Sequence, residues 1–177
     1  VGIPNTGKST VVNLLGGAKR AKTGDIAGVT RDVRWIKCAD FDLLDTPGTM
    51  PPSCKTQYLA RHLAYIGSLN DDILDIADVA LELLKELKAN YPAALQERYG
   101  IDCGGNNAET DKTADEEERT REAVEMLETA CRRRGFILRG GEFDYERGAR
   151  AVIDDFRKGR LGKICLENPS DFADVKF

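Results

Sequence analysis

The chain has 177 residues and a mass of 19.5 kDa, the length of one domain or two small ones. With 41% hydrophobic and 32% charged residues it can build a packed core, and no apolar run approaches the roughly 20 residues that span a bilayer. Lys and Arg number 26 against 30 Asp and Glu, a formal charge of −4, so any contact with nucleic acid needs a local basic patch.

Taken in chain order, residues 1–57 read as an α/β segment. Ser9 to Leu15 opens with capping residue types, turns apolar and stops at Gly16-Gly17, which predicts a helix. Val33–Cys38 and Phe41–Leu44 are short apolar runs around Ala39-Asp40, the pattern of a hairpin. Thr46-Pro47-Gly48 ends the second strand, and Pro51-Pro52-Ser53 marks a candidate boundary. Residues 58–177 then read as helical. Leu59, Leu63 and Ile66 share a face, and a longer helix capped by Asn70 or Asp71 carries Ile73, Ile76, Ala80, Leu83, Leu84 and Leu87 up to Asn90-Tyr91-Pro92. After the polar stretch 104–118, with a capping-box pattern at Thr113 and Glu116, comes a helix with Ala123, Met126, Leu127 and Ala130 inward. Glu117/Arg121 and Glu128/Arg132 are expected pairs along it. A last helix, capped by Asp144, places Ala149, Val152, Ile153 and Phe156 inward. The expected plan is a partial α/β domain over 1–57 and a small all-helical domain over 58–177.

Cys38, Cys54, Cys103, Cys131 and Cys165 are dispersed without a C-x-x-C pair, which argues against a disulfide framework or zinc site and for a reducing interior. His62 is the single imidazole, in a helical pattern that favours packing over catalysis. A glycine-rich loop starts at the second residue with no strand before it, so the chain is expected to be a fragment cut inside a domain.

Chemistry concentrates at that loop. Gly2-Ile3-Pro4-Asn5-Thr6-Gly7-Lys8-Ser9 satisfies G-x-x-x-x-G-K-S/T. A polyphosphate leaving water needs inward backbone N–H groups and a fixed cation. Glycines let such a loop wrap closely, and the helix that follows turns its positive end to the phosphates. Lys8 is expected to bridge the β- and γ-phosphates, and the Ser9 hydroxyl to bind Mg²⁺. Phe41-Asp42-Leu43-Leu44-Asp45-Thr46-Pro47-Gly48 is a strand ending in Asp-x-x-Gly. That arrangement holds Mg²⁺ through a water while a glycine N–H senses the γ-phosphate. Between them, Ala27-Gly28-Val29-Thr30 offers a loop threonine for Mg²⁺.

These three elements resemble the translation-factor-related GTPases. Ile66-Gly67-Ser68, Asp72-Ile73-Leu74, Asp78-Val79-Ala80, Gly140-Gly141-Glu142 with Asp144, and Gly159-Arg160-Leu161-Gly162-Lys163 narrow the resemblance to the circularly permuted ribosome biogenesis GTPase A family. The resemblance implies a partial P-loop GTPase domain, and GTP hydrolysis in late assembly of the large ribosomal subunit. The helical domain would lie on ribosomal RNA, in a monomeric cytoplasmic protein. It implies catalytic roles for Lys8, Thr30 and Gly48. Nucleotide contacts would come from Asn5, Thr6, Gly7, Lys8, Ser9, Thr10 and Gly48, and magnesium contacts from Ser9, Thr30 and Asp45. Asn5 is read either as a K⁺ ligand or as a loop-stabilising residue. In the family the guanine-reading Asn-Lys-x-Asp precedes the P-loop; it is absent here.

This sequence departs from the family at Thr6, at Ala27 and in Thr49-Met50-Pro51-Pro52. Neither Thr49 nor Met50 can orient an attacking water, so slow intrinsic hydrolysis stimulated by the ribosomal particle is expected, with the fragment alone weakly active or inactive. Arg132, Arg133, Arg134, Arg139, Arg147, Arg150, Arg157, Lys158, Arg160 and Lys163 form either a phosphate-tracking surface or a solvated helix face. Two other readings stay open: a P-loop ATPase, and a non-catalytic RNA-binding module with a vestigial nucleotide site.

Overall fold

The computed structural model describes residues 1–17, 32–38, 40–50, 56–104 and 115–167. Two compact units divide the chain, Val1–Leu74 and Asp75–Phe177.

In the first unit, helix α1 (Lys8–Leu15) follows the glycine loop and buries Val12. Strands β1 (Arg34–Lys37) and β2 (Asp42–Asp45) pair antiparallel with Arg34 opposite Asp45, as the hairpin pattern predicts. Helix α1 packs on β2, so loop, helix and strand end stay together. Helix α2 (Gln57–Tyr65) is capped by the Thr56 hydroxyl, which accepts from Leu59 N–H. The expected boundary after residue 57 is not where the units part. Helix α2 stays with the first unit because the turn that closes it is hydrogen-bonded to Pro4 and Asn5.

Among the described residues the second unit is built from helices α3 (Ile76–Asn90), α4 (Pro92–Tyr99), α5 (Glu116–Arg134) and α6 (Tyr145–Arg157), with one isolated antiparallel bridge between Ile137 and Phe143. Helix α3 begins later than the periodicity suggests. Asn70 caps a separate 3₁₀ turn, Asp71–Ile73, and Asp75 caps α3 by accepting from Ala77 and Asp78 N–H. Ile73 consequently lies outside the core, 78% exposed. The sequence reading passes over α4, although Pro92 at its first position and left-handed Gly100 just past its end are its signature. Asp115 caps α5; Thr113 lies outside the described residues. Gly148 is a contact point between α5 and α6, where an added Cβ would stand 2.2 Å from Cys131 Sγ. The expected pairs along α5 give way to other partners: Arg121 meets Glu118, Glu128 accepts from the Tyr145 hydroxyl, and Arg132 stacks on Phe143.

Asp155 is the residue that periodicity misses. On α6 it is 1% exposed, whereas Phe156, predicted inward, is half-buried. Its carboxylate accepts from Arg98 Nε at 2.9 Å and Nη2 at 3.0 Å, from Tyr99 OH at 2.8 Å, from Arg160 Nη1 at 2.9 Å and from Arg134. Burial disfavours the charge, but the hydrogen bonds from Arg98, Arg160, Arg134 and Tyr99 outweigh it and hold the carboxyl well below the usual range. Burial, and then the bond to Asp155, pushes the Tyr99 hydroxyl up. One anion therefore ties together the end of α4, the end of α5 and the exit from α6.

Asp155→Asn should destabilise the helical unit by about 2–4 kcal/mol at pH 7, read by urea denaturation, because the arginines lose their counter-ion. The folded-state carboxyl titrates below the unfolded value of about 3.9, so its contribution is full above that pH. It fades as pH falls toward the folded value; in the Asp155→Asn variant this acid-dependent part should vanish.

Candidate phosphate and metal site

Two residues of the loop take left-handed backbone: Asn5 at φ 56° and Gly7 at φ 79°. Gly7 sits at the N-cap of α1, and its carbonyl accepts from Val11 N–H at 2.9 Å, while no side chain caps the helix. The first N–H groups of α1 thus begin at Lys8, Ser9 and Thr10 beneath an open loop, the geometry that attracts anions. Lys8 Nζ donates to Ile3 C=O, so the lysine folds across its own loop, and Thr6 Oγ1 reaches the same carbonyl at 2.9 Å.

The Asp-x-x-Gly turn arrives at this loop by a close approach of backbone to backbone. A Cβ on Gly48 would stand 2.7 Å from both Pro4 Cα and Pro4 N, and Thr49 N–H donates to Gly2 C=O at 3.1 Å. Only glycine permits the turn to lie so close. Asp45, at the end of β2, is 5% exposed, and the adjoining Thr46 Oγ1 is buried without a hydrogen-bond partner among the described residues.

Of the predicted site residues, Asn5 to Thr10 lie together on the loop and the start of α1, and Gly48 lies against that loop. Asp45 follows from the β2 register. Thr30 lies outside the described residues. Ser9 and Asp45 offer hard oxygen donors, and among the described residues no group of three or more His, Cys, Asp or Glu gathers as a metal cage. The oxygens of Ser9 and Asp45 fit Mg²⁺, which binds through one or two protein oxygens and the phosphates of a nucleotide.

Other candidates fall to structural roles. His62 is buried with its ring 4.1 Å from that of Tyr58. Cys131 is buried, and burial, joined by Asp144 and Glu128, pushes its thiol up. The basic residues of the helical unit are not one free surface. Arg134 and Arg160 hold Asp155, Lys158 and Arg150 pair with Asp154 and Glu146, and Arg147 lies 4.4 Å from the Phe136 ring centroid.

A family profile described as "50S ribosome-binding GTPase" matches residues 1–100. Ribosome biogenesis GTPase A of Bacillus cereus is 37% identical over 98% of this chain and 54% of its own length. The Thermotoga maritima protein of that name is 27% identical over 99% of this chain and 58% of its own. The GDP-bound structure of TM YlqF matches with TM-score 0.55 and 25% identity, covering 96% of this chain and 59% of that one. The chain therefore spans about half the length of the curated relatives it matches.

Gly48→Ala should cost the first unit about 1–3 kcal/mol by overpacking against Pro4. Trp35, the single tryptophan, reports that unit by fluorescence; the far-ultraviolet helix signal should be little changed.

Proposed function

This chain belongs to the 50S ribosome-binding GTPase family, and we propose that the protein carrying it binds GTP with Mg²⁺ and hydrolyses it during late assembly of the large ribosomal subunit. One observation carries the reading: Gly48 packs directly on Pro4, so the Asp-x-x-Gly turn and the phosphate loop form one surface. In this reading the loop amides from Asn5 to Thr10 grip phosphate oxygens, and Lys8 exchanges Ile3 C=O for the β- and γ-phosphates. Ser9, Asp45 and Thr30 hold Mg²⁺, which would neutralise phosphate charge, and the Gly48 N–H meets the γ-phosphate. The amide oxygen of Asn5 is the atom a K⁺ ion beside the phosphates would use, since its nitrogen is spent on Ile66 C=O. Thr49 and Met50 supply no base for water, so hydrolysis is slow until the ribosomal particle engages.

The helical unit contacts ribosomal RNA through the connection between α5 and α6. Arg132, Arg133, Arg139 and Arg147 are exposed around residues 135–144 there. Arg132 and Arg147 are held over Phe143 and Phe136, which orders them before RNA arrives. No helix among the described residues is long and apolar enough to cross a membrane; the cytoplasm, and a monomer, suit this work.

In the full-length protein, Lys8→Ala should weaken GTP binding about a hundredfold and Asp45→Ala should remove its Mg²⁺ dependence, both by fluorescent-nucleotide titration. Excess ATP should leave bound GTP in place; displacement would favour the ATPase reading. Replacing Arg133 and Arg139 by Ala should weaken RNA binding and reduce its salt slope by about 1 per lost phosphate contact. Particle binding and maturation indifferent to Lys8→Ala would favour the non-catalytic module.

A further inference from the structure

The Ile66-Gly67-Ser68 turn is fastened to the phosphate loop by two hydrogen bonds of opposite direction. Ser68 Oγ donates to Pro4 C=O at 2.6 Å, and Asn5 Nδ2 donates to Ile66 C=O at 3.1 Å. The partners are 64 and 61 residues apart, so these bonds are tertiary and not part of a local turn. Ser68 is 3% exposed.

The donor is itself rigidly held. Gly67 is left-handed at φ 70° and gives its N–H to Ala64 C=O at 3.0 Å, while Ser68 N–H returns to Leu63 C=O at 2.9 Å. The hydroxyl thus stands on a closed helix end, a firm anchor for a loop that lacks regular structure of its own.

The bond to Pro4 governs more than Pro4. Carbonyl and N–H of a trans peptide point in opposite directions, so holding Pro4 C=O also sets the direction of the Asn5 N–H. That amide is the first of the loop donors from Asn5 to Thr10. Asn5 also has a left-handed φ, uncommon for a residue with a side chain, and its amide bond to Ile66 helps to hold it there. Ser68 and Gly48 both meet Pro4, Ser68 at its carbonyl oxygen and Gly48 at its ring and Cα.

We infer that Ser68 is a positioning residue for nucleotide binding: through Pro4 C=O it presets the Asn5 amide toward a phosphate oxygen. The inference rests on the nucleotide reading above and adds a residue outside the loop and the Asp-x-x-Gly turn. Ser68 touches no phosphate; it keeps the loop from having to reorganise when one binds.

The test compares unsubstituted full-length protein with Ser68→Ala and Ser68→Thr, titrated with fluorescent GDP, together with urea denaturation free of nucleotide. Ser68→Ala should weaken binding about 3- to 10-fold, the worth of one hydrogen bond, under conditions where the nucleotide-free protein is fully folded. Ser68→Thr, which keeps the hydroxyl, should return affinity to within about twofold. Unchanged affinity in Ser68→Ala, whatever its urea midpoint, would overturn the inference, as would a Ser68→Thr protein that remains folded yet binds as weakly as Ser68→Ala. Failure of the unsubstituted protein to bind GDP would overturn the nucleotide reading itself, and the inference with it.

Discussion

A single crowded contact, that of Gly48 with Pro4, organises the first unit. Residues far apart in sequence meet there with less room than one methyl group occupies, because position 48 has no Cβ. The contact carries the end of the β2 strand, and with it Asp45, to the loop that precedes α1. Thr49 N–H on Gly2 C=O closes the same join from the other side. In the proposed reading, three kinds of chemistry then share one surface: backbone donors for phosphate, a lysine for charge and a buried carboxylate for metal. None of them is worth much apart. A loose glycine loop spends ordering entropy whenever it binds an anion, whereas a loop already pinned on two sides does not.

The second unit answers a different constraint. Its helices bury a carboxylate, a costly act unless the charge is fully met. Asp155 meets it with donors from α4, α5 and the segment after α6, so the anion works as a fastener among these helices. Between α3 and α5 the cationic counterpart is the half-buried Lys85, which reaches Glu82, Glu116 and Thr120. Arginines that look like a uniform basic patch in the sequence thus divide into those that hold the fold and those left at the α5–α6 connection.

Much of this was legible in the residues. The G-x-x-x-x-G-K-S/T spacing and the apolar strand ending in Asp-x-x-Gly carry their chemistry in local sequence, and the hairpin, the Asp144 cap and the break at Pro92 follow from local preferences. What escaped is tertiary. Nothing near Asp155 announces that three arginines and a tyrosine converge on it, because Arg98, Tyr99 and Arg134 come from other helices and Arg160 from beyond the end of α6. Nothing near Ser68 announces Pro4, so α2 and the turn after it read as part of the helical domain over 58–177. The late start of α3 escaped for a smaller reason: Asn70 and Asp75 both suit a helix cap, and the choice between them depends on packing. Thr30 belongs to a stretch outside the described residues, so its place in the site stays a matter of the motif.

The central claim is that the phosphate loop and the Asp-x-x-Gly turn respond to nucleotide as one body. Amide hydrogen exchange of the full-length protein, with and without GTP and Mg²⁺, addresses it most directly. The account predicts that the amides of residues 5–10 and 45–49 gain protection together, over the same range of nucleotide concentration. Protection confined to one of the two segments, or gained by neither, would contradict it.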